Sequence, residues 1–129
     1  MANIDFHPVW DEQVTDLERE RLLQFASEKI IEQDMLSIIV FRGKYKKYGA
    51  IVATVLIGNG YDRMIHLKKV QAEVLAQDGE PIARGSFTTD LQIKANAWQP
   101  WSFVFQKESM LTEDKSKNTA WIVEIENQS

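Results

Sequence analysis

The sequence contains no cysteine, which excludes a disulfide framework, a thiolate metal site and a cysteine nucleophile. It has no apolar run close to the roughly 20 residues that a membrane-spanning helix needs. The segment from Met1 to Pro8 shows neither the basic nor the apolar region of a signal peptide. From these absences we expect a cytoplasmic protein without a membrane span, and one that would be peripheral if it attaches to the membrane.

The sequence also lacks the common motifs of enzymatic and cofactor chemistry: a phosphate loop, a Gly-x-Ser-x-Gly elbow, a His-Glu-x-x-His motif and a calcium loop. Gly58-Asn59-Gly60 is a lone Gly-x-Gly without a helix behind it, which indicates a strand-ending turn. The histidines, His7 and His66, have no second ligand at metal spacing. We therefore predict no catalytic residue, no cofactor, no metal and no enzymatic activity.

Charge is divided unevenly along the 129 residues. Residues 1–34 carry nine acidic and three basic side chains, a net of −6, whereas residues 35–129 carry ten acidic and twelve basic ones, a net of +2. Neither part is charged enough to indicate a nucleic-acid partner by itself. The length is suited to one domain, residues 1–129, with a core that needs no covalent staples.

The first regular element is predicted to be one amphipathic helix from Asp16 to Gln33. Thr15 followed by Glu18 has the spacing of a capping box, so we place the N-cap at Thr15. The apolar stripe of this helix consists of Leu22, Phe25, Ala26 and Ile30. Ahead of the helix, Pro8 disfavours helical backbone at the preceding residue, and we expect an extended segment there.

After Asp34 the hydrophobic period changes to two, which is typical of strands. The Asp78-Gly79 pair is a strong hairpin-turn signal. The predicted strands are Met35–Phe41, Ala50–Ile57, Lys69–Gln77, Pro81–Thr88, Ser102–Gln106 and Ala120–Glu126. Short strands separated by turns predict a mainly β fold, an immunoglobulin-like antiparallel sandwich of six or seven strands over residues 35–126, with the N-terminal helix in front.

One candidate for partner contact is the segment from Arg42 to Tyr48, which interleaves four cations with two tyrosines. Such a segment can contact phosphates and stack on bases. Its position between two apolar strands instead favours a solvated loop or hairpin tip, so we do not expect nucleic acid. The candidate contacts with a protein partner in this segment are Arg42, Lys44, Tyr45, Lys46 and Lys47.

A second candidate lies in residues 97–105, where two tryptophans flank a proline and an alternating pattern follows. Trp101, Phe103 and Phe105 share one face of the predicted strand, which we expect to be buried. Trp98 lies three residues before Trp101 and therefore falls on the opposite face of the strand. It is the better candidate for an exposed aromatic contact with a partner.

Two segments, His7-Pro8-Val9-Trp10 and Pro100-Trp101-Ser102-Phe103-Val104-Phe105, carry a resemblance that extends through residues 51–60 and 72–87. They resemble the SLAP domain, a family named for the S-layer assembly protein of the accessory Sec export system in Bacillus-type Gram-positive bacteria. The resemblance covers about residues 6–126. It implies a non-enzymatic accessory protein that acts beside the export ATPase and helps S-layer or other surface proteins leave the cell.

The predicted function is therefore that of a non-catalytic domain that binds protein, either an export factor or a surface-protein cargo. Binding would use an exposed strand edge, the basic segment or the acidic helix. The alternative is an envelope-side structural or inhibitor-like β-sandwich module with a different partner.

Overall fold

A computed structural model of the chain describes residues 4–112 and 120–127, without the side chains of Val9 and Asp11. Two helices precede six strands, and 3₁₀ turns occupy residues 47–49 and 107–109. The elements are α1 (Pro8–Gln13), α2 (Asp16–Ser27), β1 (Leu36–Tyr45), β2 (Ile51–Asn59), β3 (Ile65–Leu75), β4 (Pro81–Ile93), β5 (Ala97–Phe105) and β6 (Ile122–Asn127). The strands form two antiparallel sheets: sheet 1 has the order β1-β2-β5, and sheet 2 has the order β4-β3-β6.

The main core lies between the two sheets, where the inward side chains of period-two strands meet. Val55 of sheet 1 and Val70 of sheet 2 are both buried there. The Phe87 ring packs edge-on against Phe103 and Phe105, with centroid distances of 5.1 and 5.2 Å, and so links β4 to β5. The mainly β antiparallel sandwich predicted from the sequence is confirmed.

Several strand bounds differ from prediction: β3 begins at Ile65 rather than Lys69, β4 ends at Ile93 rather than Thr88, and β1 and β5 are longer than expected. The first strand continues to Tyr45, so residues 42–45 are strand and not loop. The fifth begins at Ala97 and includes Pro100, which pairs with Leu56. A proline is tolerated there because β5 stands at the edge of sheet 1, where its outer side has an isolated bridge between Ile4 and Trp98 and, among the described residues, no strand ladder.

The helix predicted to begin at Asp16 is shorter than expected, and a separate short helix precedes it. Thr15 is the N-cap of α2, since its Oγ1 accepts a hydrogen bond from the Glu18 backbone N–H at 3.1 Å. The helix ends at Ser27 rather than Gln33, and Ile30, assigned to the apolar stripe, is 86% exposed. The extended segment expected around Pro8 is instead the short helix α1, because proline suits the first helical position and restricts only the residue before it.

Asn59 closes the end of β2, where a strand-ending turn was predicted. Its Nδ2 donates to the carbonyls of Arg63 and Ile93 at 2.8 and 2.9 Å, and its Oδ1 accepts from the Tyr61 backbone N–H at 2.9 Å. A Cβ at Gly60 would lie 1.7 Å from the Glu32 carbonyl oxygen. Asn59 therefore stabilises the turn through its side-chain hydrogen bonds, and Gly60 allows two backbone segments to pass close to each other.

Candidate interaction surface

A β-bulge in β1 decides which side chains face outward from sheet 1. Val40 pairs with Val55 and Arg42 pairs with Thr54, so Phe41 is an extra residue in the ladder. Such a residue resets the alternation of the strand. Phe41 and Arg42 consequently lie on the same, outer face of sheet 1, and that face divides into two halves of different chemistry.

The covered half of this face comprises Ile39, Phe41, Leu56 and Trp98, and the N-terminal residues pack over it. Leu22 and Ala26 of α2 are completely or almost completely buried against it. The Phe25 ring meets the Phe41 ring edge-on, with centroids 5.1 Å apart. The Asp5 backbone N–H also donates to the Trp98 carbonyl at 2.8 Å, which ties the N-terminal segment to β5.

Trp98 belongs to this covered half, so the prediction that it is exposed is wrong. Parity correctly separated it from Trp101, but the face on which it lies is the one that α2 covers, and the side chain is 3% exposed. Its ring lies over Gly58 of the neighbouring strand, where a Cβ would stand 2.6 Å from the ring atom Cζ3. Trp98 is therefore a packing residue in a second hydrophobic cluster.

The open half of the same face is a groove of about 570 Å³. Its lining residues are Arg42, Lys44, Lys46, Val52, Thr54, Ser102 and Val104. Val52 pairs with Val104 across β2 and β5, and the hydroxyls of Thr54 and Ser102 hydrogen-bond to each other at 2.8 Å. Val104 is 43% exposed. The floor of the groove thus combines two valines with a self-satisfied pair of hydroxyls.

Three of the predicted contact residues, Arg42, Lys44 and Lys46, come together along the β1 side of this groove. Because they stand at every second position, their Cα atoms are about 6–7 Å apart along the strand direction. A terminal nitrogen of Arg42 lies 3.7 Å from a carboxylate oxygen of Glu18 on α2. Within the described part of the chain, Lys44 and Lys46 have no ion-pair partner. We call these three residues the cation column.

Tyr45 and Lys47 do not join the column. Tyr45 faces the core, with its ring edge-on to Trp121 at 5.6 Å, so its prediction as a surface contact is wrong. Tyr45 lies two residues after Gly43, which pairs with the buried Ala53. Positions two apart in a strand share a face, so Tyr45 points to the inner face of sheet 1. Lys47 lies in the 3₁₀ turn after β1 and lines a different groove of about 920 Å³.

Tyr48, in the same turn, is an exposed aromatic that the sequence interpretation did not select. It is 90% exposed and holds a positive φ of 62°, and Gly49 follows at 84°. Such left-handed backbone is uncommon for a tyrosine. Gly49 is the sequence signal for a turn at this point, but no local property of Tyr48 predicts that its side chain is exposed.

The outer face of sheet 2 gives a contrasting surface. Arg84 forms an ion pair with Glu73 on the neighbouring strand, and His66 hydrogen-bonds to Asp90. Lys69 lies on this face too, paired with Thr88. Acidic and basic side chains occur together here, whereas the open half of sheet 1 carries a column of one sign.

The architecture is that of a two-sheet β-sandwich domain with a helical cover on one face. The model of the SLAP domain family matches residues 4–127, and the chain therefore belongs to the SLAP domain family. The resemblance stated from the sequence is confirmed. No curated protein matches the chain.

Among solved structures, the chain is similar to the variable (V) domain of the Streptococcus agalactiae AgI/II polypeptide BspA. The two are 14% identical, and the match covers 70% of this chain and 60% of that one, with a TM-score of 0.20. A TM-score this low does not establish a shared fold. Across the described residues, no helix has the length and apolar character needed to cross a membrane.

Proposed function

We propose that this SLAP domain is a non-catalytic protein-binding domain that serves the accessory Sec export or the assembly of S-layer and other surface proteins in Gram-positive bacteria. Membership of the SLAP family supports the biological setting. The observation that carries the binding role is the cation column beside the half-buried Val52 and the exposed Val104. A row of cations next to exposed apolar side chains is suited to a protein partner, an export factor or a surface-protein cargo.

The non-catalytic part of the proposal is supported by how the described reactive side chains are used. The hydroxyls of Thr54 and Ser102 bond to each other, and Asn59 holds a turn. His66 contacts Asp90 across the β3–β4 pair on an open strand face. These side chains are engaged in local structure, and none of these contacts places a nucleophile beside a base.

We place the domain in the cytoplasm, where an accessory export factor would meet its cargo, with peripheral attachment to the membrane as a second site of action. Cell fractionation tests this placement. A dominant cytosolic or peripherally bound pool is expected. A pool confined to the cell wall would contradict the placement and would favour the envelope-side structural or inhibitor-like module.

Site-specific photo-crosslinking in the producing cells tests the partner. A photo-reactive residue replaces Lys44 in the open half, and a matched control carries it at Ser86, which is exposed on β4 of sheet 2. We expect the position-44 adducts, identified by mass spectrometry, to contain an export factor or a surface protein, and the position-86 adducts to lack it. Identical adducts at both positions, or none at position 44, would contradict the proposal.

A further inference from the structure

We infer that the open half binds an extended, acidic polypeptide segment in which acidic and apolar side chains alternate. This inference rests on the proposed function and specifies the chemistry of its partner. Three features of the groove carry it: the spacing of the cation column, the position of the valines and the contact that Glu18 already makes with Arg42.

The groove has the dimensions of one extended chain. The cation column lies along β1 and ends at Lys46, the first residue after it, and Val104 stands on β5, two strand spacings away, which is about 9–10 Å. An α-helix with its side chains is about 10–12 Å across and would fill that width without room for side chains on either flank. An extended chain that runs along β2 fits between the two flanks.

The alternation follows from the two flanks. An extended chain directs successive side chains to opposite sides, so those on one side recur at about 6–7 Å, the repeat of the cation column. Acidic residues at alternate positions can therefore each meet one of Arg42, Lys44 and Lys46. The residues between them point toward β5, where Val104 is exposed.

Charge complementarity identifies the acidic character of the segment. The Glu18 carboxylate lies 3.7 Å from Arg42, so the first cation of the column already holds an acidic group from the same chain. Lys44 and Lys46, further along, have no such partner among the described residues. Glu18 should therefore compete with the partner for Arg42, and its removal should strengthen binding.

Protection of the sheet edge does not explain this groove. The bulge at Phe41 and the lysine Lys44 of β1 are features that discourage another strand from pairing with an edge. Val52 and Val104, however, lie on β2 and β5, away from the β1 edge, and edge protection gives no reason for leaving them uncovered. The partner therefore lies on the face of sheet 1 rather than extending the sheet beyond β1.

Fluorescence anisotropy at low ionic strength tests the inference with two labelled peptides of about eight residues. In one, aspartate and valine alternate; the other has the same composition with the aspartates grouped at one end. We expect the alternating peptide to bind about 10-fold more tightly, since only its carboxylates match the column. Raising the salt concentration should weaken this binding.

Charge variants locate the binding surface. The K44E/K46E double variant should lose about 10-fold or more in affinity for the alternating peptide, whereas the control K69E on sheet 2 should change it less than about 2-fold. E18Q should raise the affinity about 3-fold, because glutamine keeps the side-chain length without the competing charge. Unfolding curves of each variant establish that it is folded, and K44Q/K46Q replaces the double reversal if the reversal is not.

Equal binding of the two peptides, an equal loss in K69E, or tighter binding of an oligothymidylate than of the alternating peptide would overturn the inference. Its failure can be told apart from failure of the proposed function. If position 44 crosslinks to an export factor while the two peptides bind equally, the proposed function is supported and the inference of an extended acidic segment is wrong. If the alternating peptide binds more tightly but no export factor or surface protein is crosslinked, the inferred binding groove is supported and the proposed function is wrong.

Discussion

The covered and open halves of the outer face of sheet 1 are made by the same three strands, yet one is a hydrophobic core and the other a polar groove. The boundary on β2 lies between Leu56, which is completely buried beneath α2, and Thr54, which bonds to Ser102. On β1 the boundary is the bulge, where Phe41 is followed by Arg42. The sheet does not require both halves to be covered, because the open half replaces large apolar side chains with cations, hydroxyls and two valines.

The largest effect is expected from Trp98→Ala in the covered half. Removing a buried indole leaves a cavity beneath α2, and we expect the free energy of unfolding to fall by about 3–5 kcal/mol. Chemical denaturation measures the change, and Trp98→Phe, which keeps a ring, should cost less. A loss similar to that of a surface substitution would contradict the assignment of Trp98 to a core.

Gly58→Ala should have an intermediate effect that depends on the same ring. The new Cβ would lie 2.6 Å from Trp98 Cζ3, so the buried ring must shift, at about 1–3 kcal/mol. In a Trp98→Ala background the obstacle is gone, and the same substitution should cost much less. A double-mutant cycle measures this coupling, and additive costs would show that the two residues do not share the space.

Val104→Thr in the open half should have the smallest effect. The side chain is exposed and the replacement is also β-branched, so we expect the free energy of unfolding to change by less than about 0.5 kcal/mol. The matched control is Val55→Thr, where the added hydroxyl enters the core between the sheets and should cost about 1–3 kcal/mol. Equal costs at the two sites would mean that the open half is covered after all.

The sequence predicted the elements whose cause is local. Thr15 caps α2 through a contact three residues away. At the Asp78-Gly79 turn, Gly79 takes a φ of 88° and the Asp78 carboxylate accepts from the Glu80 backbone N–H at 3.0 Å. The apolar alternation likewise predicted that Trp101, Phe103 and Phe105 of β5 face the main core. The six-strand sandwich followed from these patterns, whereas the family was indicated by the resemblance of residues 7–10 and 100–105 to the SLAP domain.

The candidate surface was predicted in part. The basic segment was predicted to contact a partner, and three of its cations, Arg42, Lys44 and Lys46, share one groove. The expected loop is a strand up to Tyr45, however, because residues 42–45 pair with residues 51–54 of β2. That pairing turns Tyr45 inward and leaves Tyr48 exposed, and no local property of the two tyrosines distinguishes them.

By itself the sequence determined the hairpin turn, the helix cap, the period of the strands and the resemblance to the SLAP domain, because each depends on residues close together along the chain. The tertiary structure decided the rest. Whether Trp98 is buried depends on Leu22 and Ala26, more than 70 residues earlier in the chain. The cation column exists because a bulge at Phe41 brings the side chains that follow it onto the outer face, and a bulge is set by the pairing of β1 with β2.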